Sequence, residues 1–247
     1  MEKSGFFMGR PAGIFSSCMA LLIVQEAIGK AANLLADQLD YQTIDPSNAF
    51  AWQSIHHIVL LISGLILVWI FRRLLKDNFG FQLGDRKTGM RFFYIFTAVI
   101  AVSALFLHLG GYFTNQPVTY DFALNQRNIL GTLGFQLLLS GPAEEILYRA
   151  LPITILLHVL GKSTKLSENI TLEVVFAALL FVAAHISWSI SPLQIQANIP
   201  QLLYALAIGT VQGMAYQKSR SIIYPIMMHS ISNFLMVGTG YLFTFLF

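Results

Sequence analysis

Polar residues interrupt three stretches that are otherwise apolar. "GPAEEILYR" sets Glu144 and Glu145 side by side with Arg149 following, "FVAAHISW" places His185 four residues after Phe181, and "MMHSISNF" places Asn233 four residues after His229. On a helix, residues four apart share a face, whereas adjacent residues point about 100° apart. Glu145 and Arg149 are therefore expected to neutralise one another, with the acid on the favourable N-terminal side, and Glu144 is left without a local cation. An unpaired carboxylate, two imidazoles and a carboxamide suit hydrolysis of a peptide bond. The carboxylate takes a proton from water, and a histidine or asparagine donates to the developing oxyanion. A second route places Zn²⁺ on Glu144, His185 and His229, where the metal would acidify its bound water. The usual H-E-x-x-H spacing is absent, which counts against the metal. A serine mechanism has less behind it, because Ser140 lacks the G-x-S-x-G elbow and Ser230 and Ser232 have no supporting motif. A packing role accounts for Glu145 with Arg149, and for an isolated histidine or asparagine as interhelical glue, but leaves Glu144 unexplained.

The elements that must position these groups are membrane-spanning helices. The chain has 247 residues, 55% hydrophobic and only 11% charged, with mean hydropathy +0.64, which exceeds what soluble domains show. Apolar runs at about 13–36, 55–71, 92–113, 129–158, 171–190, 200–217 and 222–247 predict an all-α polytopic bundle of about seven spans enclosing a polar cavity. No polar stretch is long enough for a separate soluble domain, so residues 1–247 are read as a single integral membrane domain. Gln25, Glu26, Lys30 and Asn33 interrupt the first run, which is the least secure span and is read as lying partly in the interface. A cleaved leader is disfavoured, because the apolar stretch after Lys3 and Arg10 continues without a small-residue cleavage site. Cys18 has no partner for an intrachain disulfide. The net charge of +3 does not point to nucleic acid, since the basic residues are scattered among short loops.

Those loops predict orientation. With the N-terminus cytoplasmic, twelve Lys and Arg fall on the inner side, in the N-terminal segment and around 72–91, 162–165 and 218–220, against Arg127 alone outside. This asymmetry requires 129–158 to cross once. Such a helix would be roughly 45 Å long, against a hydrocarbon core of about 30 Å, so it must tilt, kink or emerge. Gly141-Pro142 is the expected kink, because proline removes a donor and clashes with the carbonyl four residues back. Glu144, His185 and His229 would then meet in a cavity open to the cytoplasmic side.

The motifs E-E-x-x-x-R at Glu144, Glu145 and Arg149, F-x-x-x-H at Phe181 and His185, and H-x-x-x-N at His229 and Asn233 occur in that order on separate spans. In this the chain resembles the CAAX protease and bacteriocin-processing (Abi) family, membrane-embedded endopeptidases related to the CAAX prenyl endopeptidase. The resemblance covers about residues 129–240, the family-like catalytic core. It implies that Glu144 activates water with Glu145 close by, that His185 and His229 help hold the water or a metal, and that Asn233 stabilises the oxyanion. Arg149 would be structural or would receive a substrate carboxylate. Zn²⁺ on Glu144, His185 and His229, and a metal-free glutamate-activated water, are both open. Tyr148 stands where family members often carry phenylalanine.

The expected partner is a short peptide or membrane-anchored protein substrate within the lipid bilayer, with no nucleic acid. The rival reading is a non-catalytic membrane protein, an immunity factor or scaffold; a transporter using Glu144 for proton coupling lacks the expected repeat. His56 and His57 open the second span and are read as interfacial, and His108 and His158 as uninformative. Trp52, Trp69 and Trp188 are read as interfacial belt residues. Lys162, Lys165, Lys218 and Arg220 would attract an acidic lipid or peptide, although topology alone explains them.

Overall fold

Backbone N–H and C=O groups find no water in hydrocarbon, so an apolar chain must bond them within helices. The computed structural model describes residues 9–190 and 193–247. Lys3, counted above on the basic side, and Ser191 and Pro192 lie outside the described residues. In order come α1 (Gly9–Asp37), α2 (Ala51–Leu75) and α3 (Arg86–Phe113). A long helical rod, α4, follows, made of Gln126–Phe135, Gln136–Ser140, Gly141–Glu145, Ile146–Ala150 and Leu151–Leu160. After it come α5 (Leu172–Ala183), strands β1 (Ser187–Ile190) and β2 (Leu193–Gln196), α6 (Ile199–Ser219) and α7 (Ile223–Leu246). The most extensively packed helix pairs are α3 with α7, α5 with α6, and α1 with α2.

The surface is far more apolar than that of a soluble protein. Large apolar side chains such as Phe15, Ile66, Phe106 and Phe245 are exposed, while Glu145, Arg149, Glu173, Gln212 and His229 are buried. An apolar outer surface over an apolar core that encloses a few polar groups is what a bilayer selects, and this is an integral membrane protein of the all-α class. Ala12–Asp37, Ala51–Leu75 and Arg86–Phe113 are each long and apolar enough to cross. α6 and α7, at 21 and 24 residues, have sufficient length and turn Gln212, His229 and Ser232 inward.

The expected kink in the fourth run takes a different form. Helical backbone continues through Gly141 and Pro142, and a π-turn lies on each side, at Gln136–Ser140 and Ile146–Ala150. A π-turn bonds i to i+5 and adds a residue to the turn, so it absorbs the donor that Pro142 lacks without breaking the helix. The second π-turn precedes another proline, Pro152, which has no N–H to offer the Leu147 carbonyl five residues back, and that carbonyl accepts from Gln25 Nε2 at 2.8 Å instead. Gln25, which interrupts the first apolar run, thus has an interior partner on α4.

The fifth run is corrected as well. A span over 171–190 was expected, but α5 ends at Ala183 and its twelve residues cover only about 18 Å, too little to cross alone. Ser187 to Ile190 alternate in polarity and pair antiparallel with Leu193 to Gln196, so the hydropathy that suggested helix belongs partly to a hairpin. The hairpin lies against α1: Trp188 Nε1 donates to Glu26 Oε2 at 3.1 Å, and Lys30 Nζ stands 3.5 Å above the Trp188 ring. Trp188, read above as a belt residue, therefore ties two elements together.

α2 starts at a cap. Asp45, almost fully buried in the 38–50 loop, accepts from the backbone N–H of Ala49 at 2.9 Å and of Phe50 and Ala51 at 2.7 Å. Burial alone would raise its pKa, but these three N–H groups, with Arg127 nearby, hold the carboxyl below its ordinary value. A depressed folded pKa stabilises above the unfolded value of about 3.9 and stops doing so as pH falls through the folded value. Asp45→Ala is expected to cost about 2 kcal/mol at pH 7 in detergent unfolding, with the difference from wild type shrinking below about pH 4. A cost that does not change with pH would rule out this account of the cap.

Candidate active site

The centre of the site is an ion pair sealed from solvent. Glu145 Oε1 and Arg149 Nη1 are 3.2 Å apart, and both side chains have no exposed surface. The guanidinium also donates from Nη2 to Gln212 Oε1 of α6 at 2.8 Å and lies 3.8 Å over the Phe181 ring of α5. Gly209 makes room for it, since a Cβ there would stand 3.2 Å from Nη2. Arg149 is therefore held by α4, α5 and α6 together.

Glu145 has a second partner. Its Oε1 accepts from His229 Nδ1 of α7 at 2.7 Å, which leaves His229 Nε2 pointing towards Glu144, 3.7 Å from Oε2. The carboxylate thereby sets the tautomer: with the proton on Nδ1, the free lone pair of the neutral ring is on Nε2. α7 reaches this position because α4 carries glycine where the helices touch. A Cβ on Gly141 would lie 2.7 Å from Ile226 O and against Ser230 Oγ. One turn beyond His229, Asn233 Nδ2 donates to Ser140 Oγ at 2.7 Å.

Glu144 differs from its neighbour in being accessible: its side chain retains 19% exposure where Glu145 retains none. Its partner comes from a distant part of the chain. His57 of α2 puts Nε2 3.0 Å from Glu144 Oε1, while its Nδ1 is 2.9 Å from the Gln53 carbonyl oxygen. A carbonyl and a carboxylate oxygen both accept, so a neutral His57 facing an ionised Glu144 cannot satisfy both contacts. Either the imidazole is protonated, or Glu144 carries the proton and donates it to Nε2. The pair shares one proton beyond its fully ionised glutamate and neutral histidine forms. Trp52, His56, His57 and Phe135 form an aromatic row beside it, with neighbouring ring centroids 5.3, 5.2 and 4.8 Å apart.

His185 follows the end of α5 and is not on a continuing helix. Its Nδ1 donates to the Phe181 carbonyl at 2.8 Å, leaving Nε2 free, and its ring meets the Phe181 ring edge-on at 4.6 Å. Phe181 also stands edge-on to His229 at 6.2 Å. One aromatic ring thus packs against His185, His229 and Arg149.

The structure brings Glu144, Glu145, Arg149 and His229 into one hydrogen-bonded or ionic group, places Asn233 beside it through Ser140, and seats His185 across Phe181. Sequence reasoning assigned His57 to the interface, and the structure overturns that reading by placing the ring against Glu144. The adjacent His56-His57 pair at the start of a span was the only signal available. The atoms left unbonded, Glu144 Oε2 and the Nε2 atoms of His185 and His229, are the ones that would hold a zinc ion, but among the described residues no three such groups stand close enough together to do so.

Residues 126–235 match the family model described as Type II CAAX prenyl endopeptidase Rce1-like. No curated protein and no solved structure gives a significant match to the chain. The matched segment contains Glu144, Glu145, Arg149, His185, His229 and Asn233, and excludes His57.

The two glutamates should differ in stability effect. Arg149→Met leaves Glu145 buried without its cation and should cost about 3–5 kcal/mol in detergent unfolding. Glu144→Gln, at a partly exposed position, should cost less than about 1 kcal/mol. Equal losses would contradict the division into a buried pair and an accessible carboxylate.

Proposed function

We propose that the chain is an intramembrane endopeptidase of the CAAX protease type in which Glu144 activates water, a reading supported by the match of residues 126–235 to that family's model. The carrying observation is the contrast between the two glutamates: Glu145 is consumed by Arg149 and His229, whereas Glu144 is accessible and faces imidazoles from α2 and α7. A water between Glu144 Oε2 and His229 Nε2, which are too far apart to bond directly, would be oriented by both. Glu144 takes its proton as the water oxygen attacks the scissile carbonyl carbon. Asn233 and His185 supply polar contacts to the oxyanion and the water. The proton on Glu144 then passes to the leaving amide nitrogen as the C–N bond breaks, giving a carboxylate and an amine.

In this scheme Glu145 orients His229, and Arg149 keeps Glu145 ionised. His57 holds a proton against Glu144 and fixes the direction in which its carboxylate points. The substrate is a peptide or the tail of a membrane-anchored protein. No step of this scheme needs a metal.

Glu144→Gln should leave the protein inserted and folded but abolish cleavage. The measurement is a comparison of membrane peptides from cells making the wild-type or the variant chain, which reads both proteolysis and substrate. Identical peptides from the two would remove the peptidase reading, and loss of binding without any change in peptides would favour the immunity-factor or scaffold alternative. His57→Phe should lower kcat by about 10²–10⁴ with the folded state retained. Activity of purified protein should survive chelation, and loss of activity on chelation with recovery on adding Zn²⁺ would reinstate the metal.

A further inference from the structure

A second site lies away from these residues, between α3 and α6. Here a cavity of about 620 Å³ is lined along its length by Phe92, Phe96, Val99, Val211 and Met214, and at one end by Arg91 and Lys218. No acidic side chain among the described residues lines it. Phe96 forms the buried floor, while Val99 is 56% exposed, so the groove opens towards the surroundings of the bundle. Arg91 lies in the second turn of α3 and Lys218 in the last turn of α6, which puts both cations at the end where the basic loops gather. From Phe92 to Val99 the apolar lining continues for about 10 Å along α3. Asn169, from the loop before α5, also lines the mouth and accepts from Lys218 Nζ, which steadies the ammonium there.

We propose that this groove binds one anionic phospholipid. Its phosphate sits between the Arg91 guanidinium and the Lys218 ammonium, and an acyl chain lies along Phe92, Phe96 and Val99. The charge arrangement selects the occupant. A neutral apolar molecule would leave the two positive charges at the groove's end without a counter-charge, and a soluble anion would leave the apolar length of the groove uncovered. Guanidinium and ammonium groups bond phosphate oxygens in complementary ways, the first through paired N–H groups and the second as a point charge. Basic pockets between helices on the cytoplasmic side of a bundle are suited to such headgroups. This proposal is independent of the peptidase reading, because none of its residues touches Glu144 or its partners.

The experiment uses the full chain in neutral detergent, with phosphatidylglycerol or phosphatidylcholine of the same acyl chains added, and measures lipid retention by native mass spectrometry alongside Tm. Phosphatidylglycerol is expected to bind about thirtyfold more tightly than phosphatidylcholine, with one molecule retained and a higher Tm. R91Q/K218Q should abolish that preference, whereas K162Q/K165Q, which removes the same charge outside the groove, should keep it. Equal binding of the two lipids by wild type would overturn the proposal. So would a preference that survives in R91Q/K218Q or disappears in K162Q/K165Q. Inorganic phosphate alone at the same concentration should leave Tm unchanged, and a full shift with phosphate would show an anion site without a lipid.

Discussion

The pairing of Glu145 with Arg149 is the constraint from which the rest of the site follows. A single ion buried away from water costs several kcal/mol even after relaxation, so neither residue can be placed there without the other. Once paired, Glu145 still has capacity to accept, and it accepts a hydrogen bond from His229 Nδ1. Arg149 still has donors, and it takes Gln212 and the face of Phe181. The pair therefore connects α4 to α5, α6 and α7 and fixes the ring orientation of the histidine that faces Glu144. A hydrophobic pair of similar volume would pack these helices at no electrostatic cost, but it would not set a tautomer.

The backbone of α4 is adapted to the same requirement. Pro142 immediately precedes the glutamates and would normally disrupt the helix carrying them. The two π-turns keep that helix continuous while loosening it on both sides of Gly141–Glu145, and Gln25 closes the carbonyl opened at Leu147. Polar residues in α1 that look ill-suited to a span thus serve the interior. Gln25 reaches α4, while Glu26 and Lys30 hold the hairpin that replaces the second half of the fifth run.

What could be read in the sequence was local. The apolar runs appear as helices because hydropathy is a property of contiguous residues, and Glu145 with Arg149 meet because four residues on one helix suffice to bring them together. The partner of Glu144 was not legible, since His57 lies 87 residues away and nothing local distinguishes it from an interfacial histidine. The end of α5 was hidden for a related reason. Ser187 to Ile190 are short and apolar enough to extend a helix on paper, and only pairing with Leu193 to Gln196 makes them a strand. His185 kept its place near Phe181 despite the helix ending before it, because its Nδ1 bond to the Phe181 carbonyl preserves the i, i+4 relation.

A carboxylate that is to activate water inside a membrane faces two opposed demands. It must be ionised, which favours contact with cations and water, and it must be held still, which favours burial. Glu144 meets the first through partial exposure and the second through His57. That imidazole is itself fixed at Nδ1 by the Gln53 carbonyl and flanked by Phe135 and His56, so the proton it shares with Glu144 has a defined position. His57 is only six residues into α2, close to the end that Asp45 caps. The order of that first turn, and through it the direction of the Glu144 carboxylate, thus depends on a buried aspartate in the loop before it.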